Sequence, residues 1–540
     1  MISGCEGREY IRACDSRLIA GIIYSVAASK DTMVVPETEN TSGWKQDLIH
    51  LAVLLSIALV IGVYLIVTTV LIAKDGALYI QLARKLSTNP NEVITNSIPF
   101  GYPLLIFVAH KLVTLFCQSQ SVYNWIYAAQ GITLLCRLLA LIPLYFIGKL
   151  LVGSRKSFWA LLVLIVLPYP ARSGSDALRD WPHLVFFATG LLAIVWAIDR
   201  HKWWLFGLAG LACGLGYLIR PISLQLVICG AIWLGYRFFR PAGIIRQRQA
   251  LFALALMIAG FLIPAAPHAK ASGKLLPAKI RGLLRKVAPV DKPATSIDRI
   301  DRHKANNPNY SASAPGTLLC GIGKVCKAIG ENMMWLFAVS SLAGLIKYFR
   351  SRLPDKYKLL IAIFITFNLV VLWLRCTNFD NAMSKRYLLP LSAVIVFYSV
   401  TGLEILSGMF AKKHCGDNFS RQQKLRFYIL LTAGVLICLP KLTRPMRIDK
   451  QGYLRTAEWL RNNTTPDDRI AVPDRRIALY AERKAILSKN NKVPPNAAYI
   501  VRISTNGTDE PVAQSKSSRV FWAWSDPHKK KKKLEVYEVM

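Results

Sequence analysis

A polytopic α-helical membrane protein with a small α/β domain at its C-terminal end is the fold class this sequence predicts. Of its 540 residues, 53% are hydrophobic and the mean hydropathy is +0.34, more apolar surface than a water-soluble chain of this length hides. The apolar residues fall in long runs rather than short alternating stretches. Beyond residue 440 the runs stop and shorter helix and strand patterns alternate.

Length and apolar content give about eleven spans: 48–73, 126–149, 157–168, 181–198, 203–219, 221–239, 250–266, 335–349, 359–374, 387–409 and 427–439. The third and the last are short enough to be re-entrant. Residues 48–440 thus form the membrane domain. It contains an amphipathic first outer loop (75–120) with helices expected near 77–86 and 103–117, and a long basic loop (267–332). Residues 1–47 hold one short apolar stretch, 18–28, which neither spans nor offers a clear cleavage site. They read as a cytoplasmic extension or as an overextended gene start. Residues 441–540 read as the soluble α/β domain, with helices at 453–462 and 475–483 and strands at 469–473, 498–503 and 534–539.

The net charge of +37 does not imply nucleic acid, because the basic residues sit in loops between apolar runs and match topology and anionic headgroups. Short loops rich in Lys and Arg (155–156, 200–202, 237–248, 347–358, 412–426) mark one face as cytoplasmic. The N-terminus is then inside and the C-terminal domain outside, in the periplasm if the membrane is a bacterial inner membrane. The eleven cysteines follow no metal-ligand spacing. Several lie in apolar runs and read as small core residues, and Cys320 with Cys326 share one loop as a candidate disulfide.

This topology puts the chemically capable residues on the outer face. Asp75 follows the first span directly; a carboxylate at the mouth of a membrane helix serves either as general base on an acceptor hydroxyl or as a helix N-cap. Asp176 and Asp180 are four apart and would share a helix face, with Arg179 beside them to pair or to hold a phosphate oxygen; a solvated helix start is the alternative. Arg220, between two spans, is either paired or snorkelling. Lys385 and Arg386, ahead of Tyr387, combine a point charge with a fork of donors, which suits a lipid phosphate. A phosphate-cradling loop, a dinucleotide glycine pattern and a His-rich cluster are all missing, which disfavours a nucleotide-driven pump.

The order of these segments resembles the bacterial membrane glycosyltransferases of the GT-C fold, the group that includes protein O-mannosyltransferases and the lipid A aminoarabinose transferase. Asp75 with Tyr79 and Ala83 resembles the family's acidic first-loop motif. Pro99-Phe100-Gly101-Tyr102-Pro103-Leu104 is similar to its Pro-Pro-Gly-Tyr-Pro segment, and Arg179-Asp180 precedes a span as in relatives. Ser384-Lys385-Arg386-Tyr387-Leu388-Leu389-Pro390 is similar to Ser-x-Arg-Tyr-x-x-Pro, and Asp474-Arg475-Arg476-Ile477-Ala478-Leu479-Tyr480-Ala481 resembles the soluble domain of bacterial members. The chain departs from relatives at Gly76, where many have Glu, and at Ile98, where they have Pro.

The resemblance implies an inverting, metal-independent transferase without cofactor, acting on the outer face of the inner membrane. It takes a sugar from a polyprenyl-phosphate donor held in membrane lipid and passes it to a protein, lipid or glycan acceptor. It makes Asp75 the catalytic carboxylate and Lys385, Arg386 and Tyr387 the phosphate-binding segment. Arg179 and Arg220 would support it, Tyr102 would shape the cavity, and Asp176 or Asp180 would supply the second carboxylate. The alternative from another class is a non-catalytic carrier or flippase of lipid-linked saccharides, for which repeats and polar residues in both membrane halves are expected.

Overall fold

A computed structural model describes residues 43–96, 98–116, 121–240, 246–273, 315–351, 356–378, 384–409, 417–488, 496–505, 520–525 and 532–539. Most of the expected N-terminal extension and residues 274–314 of the long basic loop lie outside the described residues.

In chain order the helices are α1 (Trp44–Val67), α2 (Lys74–Lys85), α3 (Pro90–Ile94), α4 (Gly101–Phe116), α5 (Val122–Val152), α6 (Ser154–Val166), α7 (Pro168–Ser173), α8 (Asp180–Arg200), α9 (Leu205–Ile219), α10 (Leu224–Phe239), α11 (Gln247–Ser272), α12 (Pro315–Asn332), α13 (Leu336–Arg350), α14 (Lys358–Asn378), α15 (Leu389–Ile395), α16 (Phe397–Met409), α17 (Asp417–Thr443), α18 (Gln451–Asn463) and α19 (Arg475–Ala481). Among the described residues, 7 helices are long and apolar enough to cross a membrane, or up to 9 if two bent pairs each count as one span. The chain is therefore an integral membrane protein. The bends fall between α12 and α13 (110°) and between α15 and α16 (67°).

The expectation of about eleven spans is not confirmed among the described residues, although each expected segment falls on a helix. Segments 157–168 and 203–219 correspond to α6 and α9, which have 13 and 15 residues. At 1.5 Å per residue α9 covers only about 22 Å of a hydrocarbon layer about 30 Å thick. The first span also ends sooner than expected, at Val67. Cys320 and Cys326 are separate free thiols on α12, which corrects the expected disulfide.

The chain divides into two compact units. The first comprises the described residues of Met1–Leu55, Leu144–Pro168 and Ala314–Lys441. Within it α16 packs on α13 and α6, and α12 on α14. A polar knot sits at the start of α1. Asp47 accepts hydrogen bonds from the hydroxyls of Tyr145 (2.8 Å) and Ser154 (3.1 Å) and from the Lys149 ammonium (2.5 Å). A carboxylate in the first turn also complements the helix dipole.

The second unit comprises the described residues of Ser56–Pro143, Tyr169–Ser313 and Leu442–Met540. Here α9 packs between α8 and α11, and α2 lies against α4 and α19. Its C-terminal part carries β1 (Arg469–Val472), β2 (Lys484–Leu487), β3 (Tyr499–Thr505), β4 (Val520–Ser525) and β5 (Lys532–Glu538), in the sheet order β2-β1-β3-β5-β4. β1 is parallel to β2 and β3, whereas β3, β5 and β4 pair antiparallel. Alternation along β5 buries Leu534 and Val536, as a half-buried strand requires. The sequence reading omitted β2 and β4 and extended the helix of 475–483 into the turn that opens β2.

Tyr145→Phe removes one donor from the buried Asp47 carboxylate without changing the ring. It is expected to destabilise the protein in detergent by about 1–3 kcal/mol, read as a lowered midpoint of thermal unfolding.

Candidate active site

Between α1 and α2 the chain is irregular yet buried: Leu71 and Ile72 are fully covered. Backbone groups in such a place need partners. The Val70 amide donates to the Met446 carbonyl (3.2 Å). The Leu71 carbonyl accepts from Arg447 Nη1 (2.8 Å). The Ile72 amide donates to Tyr480 Oη (3.2 Å), and its carbonyl accepts from Arg476 Nη1 (3.2 Å). The Ala73 amide donates to Asp176 Oδ1 (2.9 Å). The other Asp176 oxygen forms an ion pair with Arg447. Arg476 is in turn gripped by Asp474, with Nε at 3.0 Å and Nη2 at 2.8 Å from the two carboxylate oxygens.

Asp75 sits in the first turn of α2, whose N-cap is Ala73. This corrects the N-cap reading of Asp75. Gly76 follows because a Cβ there would lie 2.8 Å from the Ala177 carbonyl oxygen, leaving no room for the glutamate of many relatives. Tyr79, one turn beyond Asp75 and on the same face, meets the Tyr102 ring edge-on with centroids 5.2 Å apart. The Arg179 guanidinium lies over the Tyr79 ring at 5.6 Å. Burial raises the Tyr79 phenol pKa above its ordinary value; Arg179 opposes this, while Asp75 and Asp180 add to it. Tyr102, wholly buried, hydrogen-bonds the Thr133 hydroxyl (2.8 Å) and donates to the Ala129 carbonyl (3.3 Å), and burial holds its phenol far above its usual range.

Asp176 and Asp180 do not share a helix face, which corrects that expectation. α8 starts only at Asp180, after the Ser-Gly-Ser stretch, so Asp176 lies in the preceding turn. Neither is solvated: their exposures are 1% and 3%. Asp180 pairs with Arg220, so Arg220 is buried and paired rather than snorkelling. Arg220 lies in extended backbone at the end of α9. Arg179 makes only a long bond to the Ile219 carbonyl (3.5 Å) and has no carboxylate partner among the described residues.

Asp75, Tyr102, Asp176, Arg179, Asp180 and Arg220 thus all belong to the second unit. Lys385, Arg386 and Tyr387 belong to the first, in the 3-10 turn Lys385–Leu388. There Lys385 pairs with Glu331. Arg386 Nε donates to Ser384 Oγ (3.4 Å), and the Arg375 guanidinium stacks on Tyr387 at 3.4 Å. The sequence reading gave no role to Arg447, Arg476 or Tyr480. The resemblance at 474–481 was the one signal that touched the last two. Among the described residues no group of three or more His, Cys, Asp and Glu side chains is placed to hold a metal.

No known family profile and no curated protein sequence matches the chain. Solved structures do match. ArnT of Cupriavidus metallidurans, bound to undecaprenyl phosphate, is similar at 13% identity and TM-score 0.56, over 92% of this chain and 98% of that one. The apo form of ArnT gives 0.57 at 11% identity, over 90% and 97%. The archaeal oligosaccharyltransferase AglB of Archaeoglobus fulgidus, in complex with an inhibitory peptide and a dolichol-phosphate, gives 0.56 at 12% identity, over 85% and 70%. The chain therefore has the GT-C fold.

Arg220→Ala leaves Asp180 buried without its counter-ion and should destabilise the protein by about 3–5 kcal/mol, read by thermal unfolding; Arg220→Lys should recover part of the loss. A second expectation concerns pH. Burial raises the Asp474 carboxyl, but the hydrogen bonds and charge of Arg476 outweigh it and hold it below the usual carboxylate range. A carboxyl depressed in the folded state contributes stability above its unfolded pKa, and that contribution is lost as the pH falls through the folded value. The stability gap between the native protein and Asp474→Asn should therefore shrink as the pH drops below about 4.

Proposed function

We propose that the protein is a membrane glycosyltransferase that moves a sugar from a polyprenyl-phosphate donor to an acceptor on the outer, periplasmic face of the inner membrane. The observation that carries this reading is the Asp75–Tyr79 face of α2, with the Arg179 guanidinium over the tyrosine ring. Within one turn of α2 it presents a carboxylate and a tyrosine, and the cation over that ring has no carboxylate partner among the described residues. Two neighbours of the same fold, one bound to undecaprenyl phosphate and one to a dolichol-phosphate, support a lipid phosphate as the donor's leaving group.

In this reading Asp75 takes the proton of the acceptor hydroxyl. The acceptor oxygen forms a bond to the anomeric carbon as the bond from that carbon to the phosphate oxygen breaks. The electron pair leaves with polyprenyl phosphate, and attack opposite the leaving group inverts the anomeric centre. Arg179 meets the charge that grows on the phosphate; protein cations suffice, so the reaction needs no metal. Asp180 and Arg220 neutralise each other and brace α8 against α9. Tyr102 and Tyr79, both neutral, pack edge to face beneath this face of α2. The acceptor is a hydroxyl of a protein, lipid or glycan.

The test is transfer in proteoliposomes from radiolabelled polyprenyl-phosphate hexoses and pentoses to membrane-extract acceptors. Asp75→Asn should lower transfer by about 100-fold or more while donor binding persists. Equal transfer by both proteins would remove Asp75 from the chemistry. Labelled lipid crossing the bilayer without turnover would make the protein a carrier.

A further inference from the structure

We propose that Tyr480 and Arg476 of α19, together with Arg447, are positioning residues that set the Asp75 carboxylate through the backbone of the loop before it. The inference rests on the catalytic role of Asp75 given above.

The geometry is a chain of fixed points. α2 begins at Lys74, so whatever fixes Ile72 and Ala73 fixes its first turn. Tyr480 Oη takes the Ile72 amide and Arg476 donates to the Ile72 carbonyl, so one peptide unit on each side of that residue is held from α19. Arg447 holds the Leu71 carbonyl and, by its other terminal nitrogen, the Asp176 carboxylate that takes the Ala73 amide. The Ala73 carbonyl then receives the amide of Gly76 at 2.9 Å. Asp75 lies between these last two anchored residues. Arg476 itself is held in a fork by Asp474, and burial keeps the Tyr480 phenol neutral.

Docking alone does not require these bonds. Leu71, Ile72, Ala77, Ile80, Ile477 and Leu479 already belong to one apolar cluster. Apolar contact is non-directional, and it would hold α19 against α2 in several registers. Charge-assisted and buried hydrogen bonds are directional, and here they act on the loop backbone two to four residues before Asp75. A displacement of about 1 Å at a reacting group costs up to about 100-fold in rate, so the clamp has a catalytic consequence without any contact to substrate.

The test compares Tyr480→Phe and Arg476→Lys in the full-length protein, using a radiolabelled polyprenyl-phosphate sugar that the native protein turns over. Hydrogen exchange of the peptide covering 68–79 should speed up in Tyr480→Phe, with the rest of the C-terminal region unchanged. The kcat should fall about tenfold while the donor KM stays within about twofold; Arg476→Lys should move both readouts the same way. In an Asp75→Asn background Tyr480→Phe should add no further loss, because its effect passes through Asp75. An unchanged kcat in both variants, or a loss of the same size in the Asp75→Asn background, would overturn the proposal. If Tyr480→Phe fails to fold, Arg476→Lys decides by the same readouts. Full activity of Asp75→Asn would instead bring down the catalytic reading itself, a result distinct from an inactive Asp75→Asn beside an unaffected Tyr480→Phe.

Discussion

Irregular backbone buried away from water needs partners for its amides and carbonyls, and segment 70–73 is where this protein faces that requirement. A helix or a sheet would satisfy these groups locally. Here the partners are side chains and one carbonyl drawn from the α7–α8 turn, from the stretch after α17 and from α19. The need to satisfy that loop therefore ties together three distant parts of the sequence. It also explains why Asp176 is so deeply buried: its two oxygens are committed to an amide and a guanidinium.

The charges around Asp75 follow the same economy. Asp180 with Arg220, and Asp176 with Arg447, are neutral pairs buried in a medium where lone charges are expensive. Arg179 differs: it rests on an aromatic face instead of a carboxylate. A cation held that way keeps its charge available to an incoming anion, because the ring supplies only a weak quadrupole.

Much of this was legible in the sequence. Long apolar runs located the membrane helices, and Asp75, Arg179 and Arg220 stood out because charge is rare at such depths. What periodicity could not give was pairing. Asp180 and Arg220 are 40 residues apart, Asp176 and Arg447 are 271 apart, and nothing local marks one as the partner of the other. The shared-face reading of Asp176 and Asp180 failed because spacing counts only inside a helix, and Ser173-Gly174-Ser175 delays the helix until Asp180. The span number is not confirmed for a related reason: α9 is apolar throughout but short, and composition alone does not measure length. β2 escaped notice because four residues at a sheet edge, mostly uncovered, leave little pattern.

The clamp has a temporal side. Ile72 and Tyr480 are separated by 408 residues, and a ribosome adds about 5–20 residues per second. The loop ahead of Asp75 leaves the ribosome early, yet its partners on α19 do not exist until roughly 20–80 seconds later. During that interval the Ile72 amide and carbonyl lack their partners on α19. A chain stalled or cut short before α19 would lack both side chains that hold Ile72.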